Sequence, residues 1–173
     1  NKISYDLFAP KAPHGGGYIV AAGLEIVLAG IRERRFSDRY IERLRQLNMF
    51  SEDFLSYLSK FIFEGDIDAV SEGTVVSAGV PIMRIRASEV EIALLEGLIK
   101  NRINLATNIA TKTARIVQAA NGEFVDDKAL KKVRTVADFG LRRAQGKSAY
   151  LASRSAIIGG ATATSNVRAA SLY

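Results

Sequence analysis

An apolar stripe at helical spacing runs without a break through residues 88–120 and constrains the fold more than any other pattern in the sequence. Apolar side chains recur there at steps of three and four, which places them on one side of a helix. Further leucines and isoleucines widen this side, so we expect much of the helix to be buried. The stripe consists of Leu95, Ile99, Ile103, Ala106, Ala110, Ala114 and Val117.

The residues before this helix combine short helices with β segments. An apolar segment is predicted to turn helical from about Gly23, and Ser37 and Ser51 are suitable N-caps for two short amphipathic helices. Residues 1–122 are therefore predicted to form an α+β region that includes a β-rich segment, 61–87, and the long helix. The predicted strands are 3–8, 61–65, 67–70, 73–79 and 81–87.

The residues after the long helix alternate between strand and helix, which is typical of an α/β layer or barrel. Two strands cannot close a barrel, so we expect residues 123–173 to be a small unit or only the start of a truncated barrel. The predicted fold class is α/β. The predicted order is strand 133–139, turn 140–146, helix 147–158, a short strand or loop over 159–165, and a helix over 165–173.

Composition excludes several kinds of chemistry. The 173 residues include no cysteine and one histidine, His14, which excludes disulfides, a multi-histidine metal site and a Cys/His or Ser/His/Asp catalytic set. The net charge of +6 favours acidic partners, but the dispersed basic residues do not interleave with aromatic ones as a base-stacking surface requires. We find no signal peptide and no apolar run long enough for a bilayer. The sequence thus predicts a cytoplasmic protein that binds neither nucleic acid nor membrane.

Chemically distinctive residues follow the first predicted strand of the C-terminal part. The stretch DFGLRR places Phe139 close to Arg142 and Arg143, and Gly140 permits a sharp turn or the close approach of a ligand. Adjacent side chains point in different directions, so one guanidinium can hold a carboxylate while the other meets a phosphate. Ligands bind at the carboxyl ends of strands in α/β folds, so this stretch is a candidate site for an anionic, planar ligand.

The second predicted strand ends in hydroxyl and amide side chains. We expect Ser165 to be the N-cap of the last helix, with Asn166 beside it, and hydroxyls at a helix N-terminus also offer a surface to an anion. Lys112 and Arg115 lie one turn apart on the long helix, where they either face a ligand or form a solvated edge. Asp138 is expected on the opposite side of its strand from its aromatic neighbour, so no obvious general base lies near either strand end.

Several multi-residue motifs, in the same order, resemble the nicotinate phosphoribosyltransferase family. The resemblance runs from about Ile3 to Tyr173. It implies an irregular α/β barrel preceded by a second, mostly β, domain, and a homodimer with its active sites at the interface. The motifs are LFAPKAPHGGGYIVAAGLE, FSEDFLSYLSKF, DAVSEGTVVSAGVPIMRI, NLATNIATKTARIV, DFGLRRAQG and ASRSAIIGGATATSNVRAASLY.

The resemblance also implies an activity in NAD biosynthesis. Nicotinate and phosphoribosyl pyrophosphate give nicotinate mononucleotide and pyrophosphate, with Mg²⁺ and with ATP hydrolysis coupled through a phosphohistidine. By this resemblance Phe139 matches the aromatic residue that stacks on the pyridine ring, and Arg142 and Arg143 match arginines of the nicotinate and phosphoribosyl sites. Ser165, next to Asn166 in the same substrate-binding motif, stands where related nicotinamide-using enzymes have an aspartate, which favours a carboxylate.

The chain departs from the family pattern at its ends. The family segment that supplies a ring-capping tyrosine precedes Asn1, the strand with the phosphorylated histidine follows Tyr173, and LFAPKAP lacks a usual arginine. We therefore expect an N-terminal portion of the enzyme, incomplete for catalysis, with substrate-binding residues but no catalytic or metal-binding ones. The alternatives are a non-catalytic module for an anionic aromatic or a phosphosugar, a related transferase that uses nicotinamide or quinolinate, and a basic nucleic-acid binder.

Overall fold

A computed structural model describes residues 2–122 and 134–173 of the chain. The strands are β1 Ile3–Phe8, β2 Ile19–Val20, β3 Asp66–Ala69, β4 Val75–Val76, β5 Pro81–Ala87, β6 Ala137–Asp138 and β7 Ala163–Thr164. The helices are α1 Leu24–Arg32, α2 Asp38–Gln46, α3 Glu52–Ser59, α4 Glu89–Asn121, α5 Ser148–Ile158 and α6 Val167–Leu172. Two 3₁₀ turns lie at Pro13–Gly15 and Leu141–Arg143. Over these described ranges, no helix is both long enough and apolar enough to cross a membrane.

Helix α4 confirms the long helix predicted over 88–120, and reciprocal capping bonds fix its start. The Ser88 hydroxyl accepts from the Glu91 N–H (3.3 Å), and the Glu91 carboxylate accepts from the Ser88 N–H (2.9 Å). A second carboxylate oxygen of Glu91 accepts from the Glu64 N–H (2.8 Å). Burial opposes ionisation of Glu91, but the hydrogen bonds from Glu64 and Ser88 outweigh it and lower the pKa of the carboxyl group.

A three-stranded antiparallel sheet, in the order β1-β5-β3, covers one side of α4. In the central strand, Met83, Ile85 and Ala87 are buried while Arg84 and Arg86 face solvent, the alternation expected of a sheet with one covered face. The covered face and the helix share one hydrophobic core, whose helical members include Leu95, Ile99 and Ile103. The predicted strands at 3–8 and 81–87 are confirmed with the predicted bounds, and the strand predicted at 67–70 is confirmed with a shift of one residue.

The strand predicted over 61–65 is wrong. This segment carries no strand pairing, and the strand begins at Asp66. Its backbone groups have other partners, because the Phe61 N–H donates to the Leu58 carbonyl (3.1 Å) at the end of α3 and the Glu64 N–H donates to the Glu91 carboxylate. Of the apolar residues that suggested a strand, Phe61 is buried in the core and Phe63 packs against it, whereas Ile62 is exposed.

Strand β2 is an element that the sequence did not predict. It pairs with β4, with Ile19 opposite Val76 and Val20 opposite Val75. Its other hydrogen-bond partner is helix α4 rather than a third strand. The Thr111 hydroxyl of α4 accepts from the Val20 N–H (2.9 Å). The Thr107 hydroxyl accepts from the Ala22 N–H (3.3 Å) and donates to the Ala22 carbonyl (3.2 Å). Threonine side chains of α4 therefore provide hydrogen-bond partners for buried backbone groups of Val20 and Ala22.

The two short helices form a small hydrophobic cluster of their own. Both predicted N-caps are confirmed, since the Ser37 hydroxyl accepts from the Tyr40 N–H and the Ser51 hydroxyl accepts from the Phe54 N–H, each at 3.3 Å. The apolar faces of α2 and α3 meet through Ile41, Leu55 and Leu58, all buried.

The C-terminal residues form the predicted strand–helix–strand–helix unit. Strands β6 and β7 pair in parallel, and α5 packs on α4 so closely that a Cβ atom at Gly159 would lie 2.4 Å from the Ala110 carbonyl oxygen. The first strand is shorter than the predicted 133–139, and residues 123–133 lie outside the described ranges. The α/β class is confirmed.

An ion pair joins this C-terminal unit to the N-terminal residues. The guanidinium of Arg154 on α5 donates to the Glu72 carboxylate at 2.7 and 2.9 Å and also contacts Glu25. Glu72 in turn accepts from the Gly23 N–H at the start of α1, where a negative charge is favoured. Burial opposes ionisation of Glu72, but the bonds from Arg154 and Gly23 outweigh it and lower the pKa of the carboxyl group.

We predict that Glu72→Gln lowers the free energy of unfolding by about 1–3 kcal/mol at neutral pH, because the Arg154 charge loses its two bonds to the Glu72 carboxylate and keeps the exposed Glu25 as a partner. The folded-state pKa of Glu72 is depressed, so its stabilisation is present above the unfolded value of about 4.3 and is lost as the pH falls through the folded value. The variant should therefore lose less stability than the parent on acidification. Urea denaturation followed by circular dichroism at a series of pH values measures both effects.

The matched control is Glu52→Gln, which breaks the exposed pair that Glu52 forms with Arg45. A solvated pair of this kind contributes little, so its removal should have a much smaller effect. Equal losses in the two variants would contradict a stabilising role for the Arg154–Glu72 pair.

Candidate functional site

The parallel pairing of β6 and β7 brings the two distinctive strand ends together. Ala137 lies opposite Ala163 and Asp138 lies opposite Thr164. The Ser165 N–H donates to the Asp138 carbonyl (2.9 Å), which extends the pairing by one residue. Phe139 and Ser165 therefore emerge at the same edge of the structure, as the sequence predicted for residues that follow successive strands.

The turn after β6 presents a ring and two guanidinium groups. Phe139 is 67% exposed, more than any other aromatic side chain in the described ranges, and a 3₁₀ turn over Leu141–Arg143 follows it. The Gly140 carbonyl accepts from the Arg143 N–H (2.9 Å) and closes this turn. Arg142 and Arg143 are both exposed.

A cleft of about 630 Å³ lies between this turn and helix α4. Phe139, Arg143 and Lys112 line it together with the apolar side chains Leu105 and Ile109. An apolar wall, a ring face and two cations suit a flat molecule that carries a negative charge. Of the two arginines, only Arg143 is among the described lining residues.

Arg115, which lies one turn after Lys112 on α4, does not line the cleft. Arg115 donates to the His14 carbonyl in the N-terminal 3₁₀ turn and lies against Gly16. The sequence suggested one role for both basic residues, but the structure separates them. Lys112 lines the cleft, and Arg115 binds the loop that contains His14 and Gly16.

The second strand end differs in detail from the prediction. Ser165 is exposed, but it is not the N-cap of α6, and that prediction is wrong. Asn166 is the N-cap, because its side-chain oxygen accepts from the Ala169 N–H (3.2 Å). Asn166 is only 2% exposed, and its amide nitrogen faces Ser153 and Ala149. Its polar atoms are thus directed into the protein, whereas Ser165 is free to meet a ligand.

Asp138 is the residue whose importance the sequence did not reveal. It was expected on the side of the strand away from Phe139, and its carboxylate does point inward. There it accepts from the Gly140 N–H (2.8 Å), the Ser153 hydroxyl (2.8 Å) and the Thr164 hydroxyl (2.9 Å). The available signal was the spacing of Asp138 and Gly140, which permits a side chain to bond the backbone two residues on.

The described residues offer binding groups rather than a reactive set. No group of three or more histidine, aspartate or glutamate side chains within the described part of the chain could hold a metal ion. His14 lies in the N-terminal 3₁₀ turn, with its ring against the Asn108 carbonyl. Both carboxylate oxygens of Asp138 are already occupied by hydrogen-bond donors. The arrangement can therefore position an anion, and Asp138, the carboxylate among the described residues that line the cleft, is engaged by these donors.

Parallel strands that present an aromatic ring beside a guanidinium define an α/β protein with a candidate site for a planar anion. Comparison with known proteins makes the family definite. Residues 1–104 match the family model of the nicotinate phosphoribosyltransferase (NAPRTase) N-terminal domain. The chain belongs to the nicotinate phosphoribosyltransferase family.

Individual relatives extend this similarity along the whole chain. A nicotinate phosphoribosyltransferase of Mycobacterium tuberculosis is 38% identical over 170 residues, which are 98% of this chain and 34% of that protein. One from Bacillus subtilis is 38% identical over 169 residues, covering 97% of this chain and 32% of that protein. The crystal structure of human nicotinic acid phosphoribosyltransferase matches with a TM-score of 0.85 at 27% identity, over 99% of this chain and 33% of the human one. The chain thus spans about a third of the length of these relatives.

We predict that Gly140→Ala destabilises the protein although its backbone, at φ −79° and ψ −10°, suits any residue. The added Cβ would lie 2.9 Å from the Asp138 carboxylate, which three donors hold in place. The expected loss is about 1–2 kcal/mol in the free energy of unfolding, measured by urea denaturation.

A double-mutant cycle with Asp138→Ala provides the control. Without the carboxylate, Gly140→Ala should be neutral or slightly stabilising, because alanine reduces the entropy of the unfolded chain. The same loss in both backgrounds would contradict a steric role for Asp138.

Proposed function

We propose that the protein containing this chain is a nicotinate phosphoribosyltransferase that forms nicotinate mononucleotide from nicotinate and phosphoribosyl pyrophosphate. The observation that carries the proposal is the similarity to enzymes of that name over 98% of the chain, at 38% identity. The similarity includes both strand ends. The cleft beside Phe139 supports the proposal, because nicotinate is a flat ring with one carboxylate.

The chemistry of the transfer requires no general base from the described residues of the cleft. The pyridine nitrogen carries a lone pair and no proton, so it can attack C1 of the ribose directly. The bond from C1 to the pyrophosphate oxygen breaks, and pyrophosphate leaves with the electron pair. No proton moves in this step. Positioning of the two substrates and stabilisation of the developing charge are then the contributions required of the protein.

Each exposed residue of the site has a role in this proposal. Phe139 stacks on the pyridine ring, and Arg143 holds the nicotinate carboxylate from the cleft. Arg142, on the same turn, meets a phosphate of the second substrate. Ser165 offers a hydroxyl near the carboxylate, where an aspartate would repel it. Asn166 acts from the interior and positions this loop.

The remaining expectations belong to the same proposal. A homodimer with the active site at its interface, a cytoplasmic location, Mg²⁺ and ATP coupling through a phosphohistidine are proposed on the family resemblance. The described residues lack a carboxylate cluster that suits Mg²⁺, so no residue of these ranges is assigned to the metal and no step is derived through it.

The direct test is an assay of the protein expressed from the open reading frame that contains this chain. We expect nicotinate mononucleotide and pyrophosphate in equal amounts from nicotinate and phosphoribosyl pyrophosphate. Nicotinamide and quinolinate, supplied separately, test the related transferases. Binding of nicotinate in calorimetry without any turnover would instead indicate a non-catalytic binding module.

We predict that Phe139→Ala raises KM for nicotinate about 10- to 100-fold, since stacking of a ring on an aromatic side chain contributes about 1–3 kcal/mol. Phe139→Tyr keeps the ring and should remain close to the parent. Steady-state kinetics with nicotinate varied at saturating phosphoribosyl pyrophosphate measures the effect. An unchanged KM in Phe139→Ala would remove this residue from the site.

We predict that the two arginines separate kinetically. Arg143→Ala should raise KM for nicotinate about 10-fold or more, as loss of a charge-assisted hydrogen bond implies. Arg142→Ala should act on KM for phosphoribosyl pyrophosphate instead. The control is Arg39→Ala, which removes an exposed arginine of α2 and should change neither constant. Identical effects of Arg142→Ala and Arg143→Ala would contradict the assignment of separate anions.

We predict that Ser165→Asp lowers kcat/KM for nicotinate at least about 10-fold, because two like charges in one site cost several kcal/mol. The ratio of activity with nicotinamide to that with nicotinate should rise in the same variant. Ser165→Asn adds comparable bulk without charge and should change this ratio little. If the aspartate variant kept the parental ratio, Ser165 would not face the carboxylate.

A further inference from the structure

A partly buried polar network lies directly behind the two exposed strand ends. The Asp138 carboxylate is its centre and accepts from Gly140, Ser153 and Thr164 at 2.8–2.9 Å. Ser153 is 1% exposed. A carboxylate can accept all three donors at once, whereas a neutral side chain of this size cannot.

Asn166 closes the network from the other side. Its backbone N–H donates to the Thr164 hydroxyl (3.1 Å), and its side-chain amide donates to the Ser153 hydroxyl (3.2 Å). Four residues from β6, α5, β7 and the start of α6 are therefore joined through shared hydrogen-bond partners. Interior networks that are fully satisfied hold one arrangement rigidly, and a lost partner leaves an unpaired polar group at substantial cost.

The two exposed residues are each enclosed by members of this network. Phe139 lies between Asp138 and Gly140, which are bonded to one another across it. Ser165 lies between Thr164 and Asn166, which are likewise bonded across it. Since the Thr164 hydroxyl also donates to Asp138, one set of buried bonds sets the spacing and orientation of both exposed residues.

We propose that Asp138 is a positioning residue that acts through Ser153, Thr164 and Asn166 to fix Phe139 relative to Ser165. This inference rests on the proposed function, because it assigns the network a role in recognising the pyridine carboxylate. When the pyridine ring of nicotinate stacks on Phe139, its carboxylate lies at a fixed distance from the phenylalanine ring. The network therefore determines both affinity for nicotinate and preference for a carboxylate over a carboxamide.

The first arm of the test measures placement without any ligand. A trifluoromethyl-phenylalanine incorporated at position 139 should give one narrow ¹⁹F resonance in the parent. Asp138→Asn and Thr164→Val should broaden or split that resonance, and Thr164→Ser, which keeps the hydroxyl, should restore it. Ser171→Ala is the matched control, because the Ser171 hydroxyl donates to the local Arg168 carbonyl and, within the described ranges, takes no part in the network. One unchanged narrow resonance in all variants would overturn the proposal.

The second arm measures recognition in the protein expressed from the full open reading frame. Thr164→Val should raise KM for nicotinate about 5- to 50-fold, with less than a twofold change in KM for phosphoribosyl pyrophosphate. It should also raise the nicotinamide-to-nicotinate activity ratio. Ile99→Val trims the core on α4 and shows what general loss of stability does. Equal changes in both Michaelis constants, or the same pattern in Ile99→Val, would overturn the proposal.

The two arms separate this inference from the proposed function. If the parent protein forms no nicotinate mononucleotide, the proposed function fails and with it the role in nicotinate recognition. The ¹⁹F spectra then still decide whether the network fixes Phe139. If the parent is active but the network variants keep parental kinetics, the positioning role alone is rejected.

Discussion

The burial of α4 is the interaction on which the rest of the structure depends. A helix of 33 residues with a wide apolar side must be covered along its length, and different elements cover different stretches. The antiparallel sheet packs near its beginning, and α5 packs near its end. Because the Gly159 backbone touches the Ala110 carbonyl, the position of α5 follows from that of α4. The strands on either side of α5, and the turn that bears Phe139, are placed in consequence.

Features that depend on neighbours in the sequence could be predicted. Periodicity gave α4, alternation gave β1 and β5, and serine residues followed by acidic ones gave the starts of α2 and α3. The meeting of Phe139 and Ser165 at one edge was also predictable, because successive parallel strands end on the same side of a sheet. Local physics therefore located the candidate site, although the roles of its residues came from family resemblance.

Features that depend on distant partners could not be predicted. The segment 61–65 has the composition of a strand, but a carboxylate 27 residues away binds the Glu64 backbone. The hydroxyl of Thr164 reaches Asp138 across 26 residues, so neither residue stands out in the sequence. Ser165 and Asn166 are both good N-caps, and the buried bonds of Asn166 decide between them. Nothing in the spacing of these residues reveals that choice.

The threonine side chains of α4 show that the segment matched by the family model need not be a segment that folds by itself. The family match ends at residue 104, inside the continuous helix Glu89–Asn121. Thr107 and Thr111, which hold the backbone of Ala22 and Val20, lie beyond that point. A fragment cut at the family boundary would leave those buried groups without partners and would remove Ala106 and Ala110 from the cluster in which Val20 and Ala22 are buried. A fragment that keeps these bonds must therefore extend at least past Thr111.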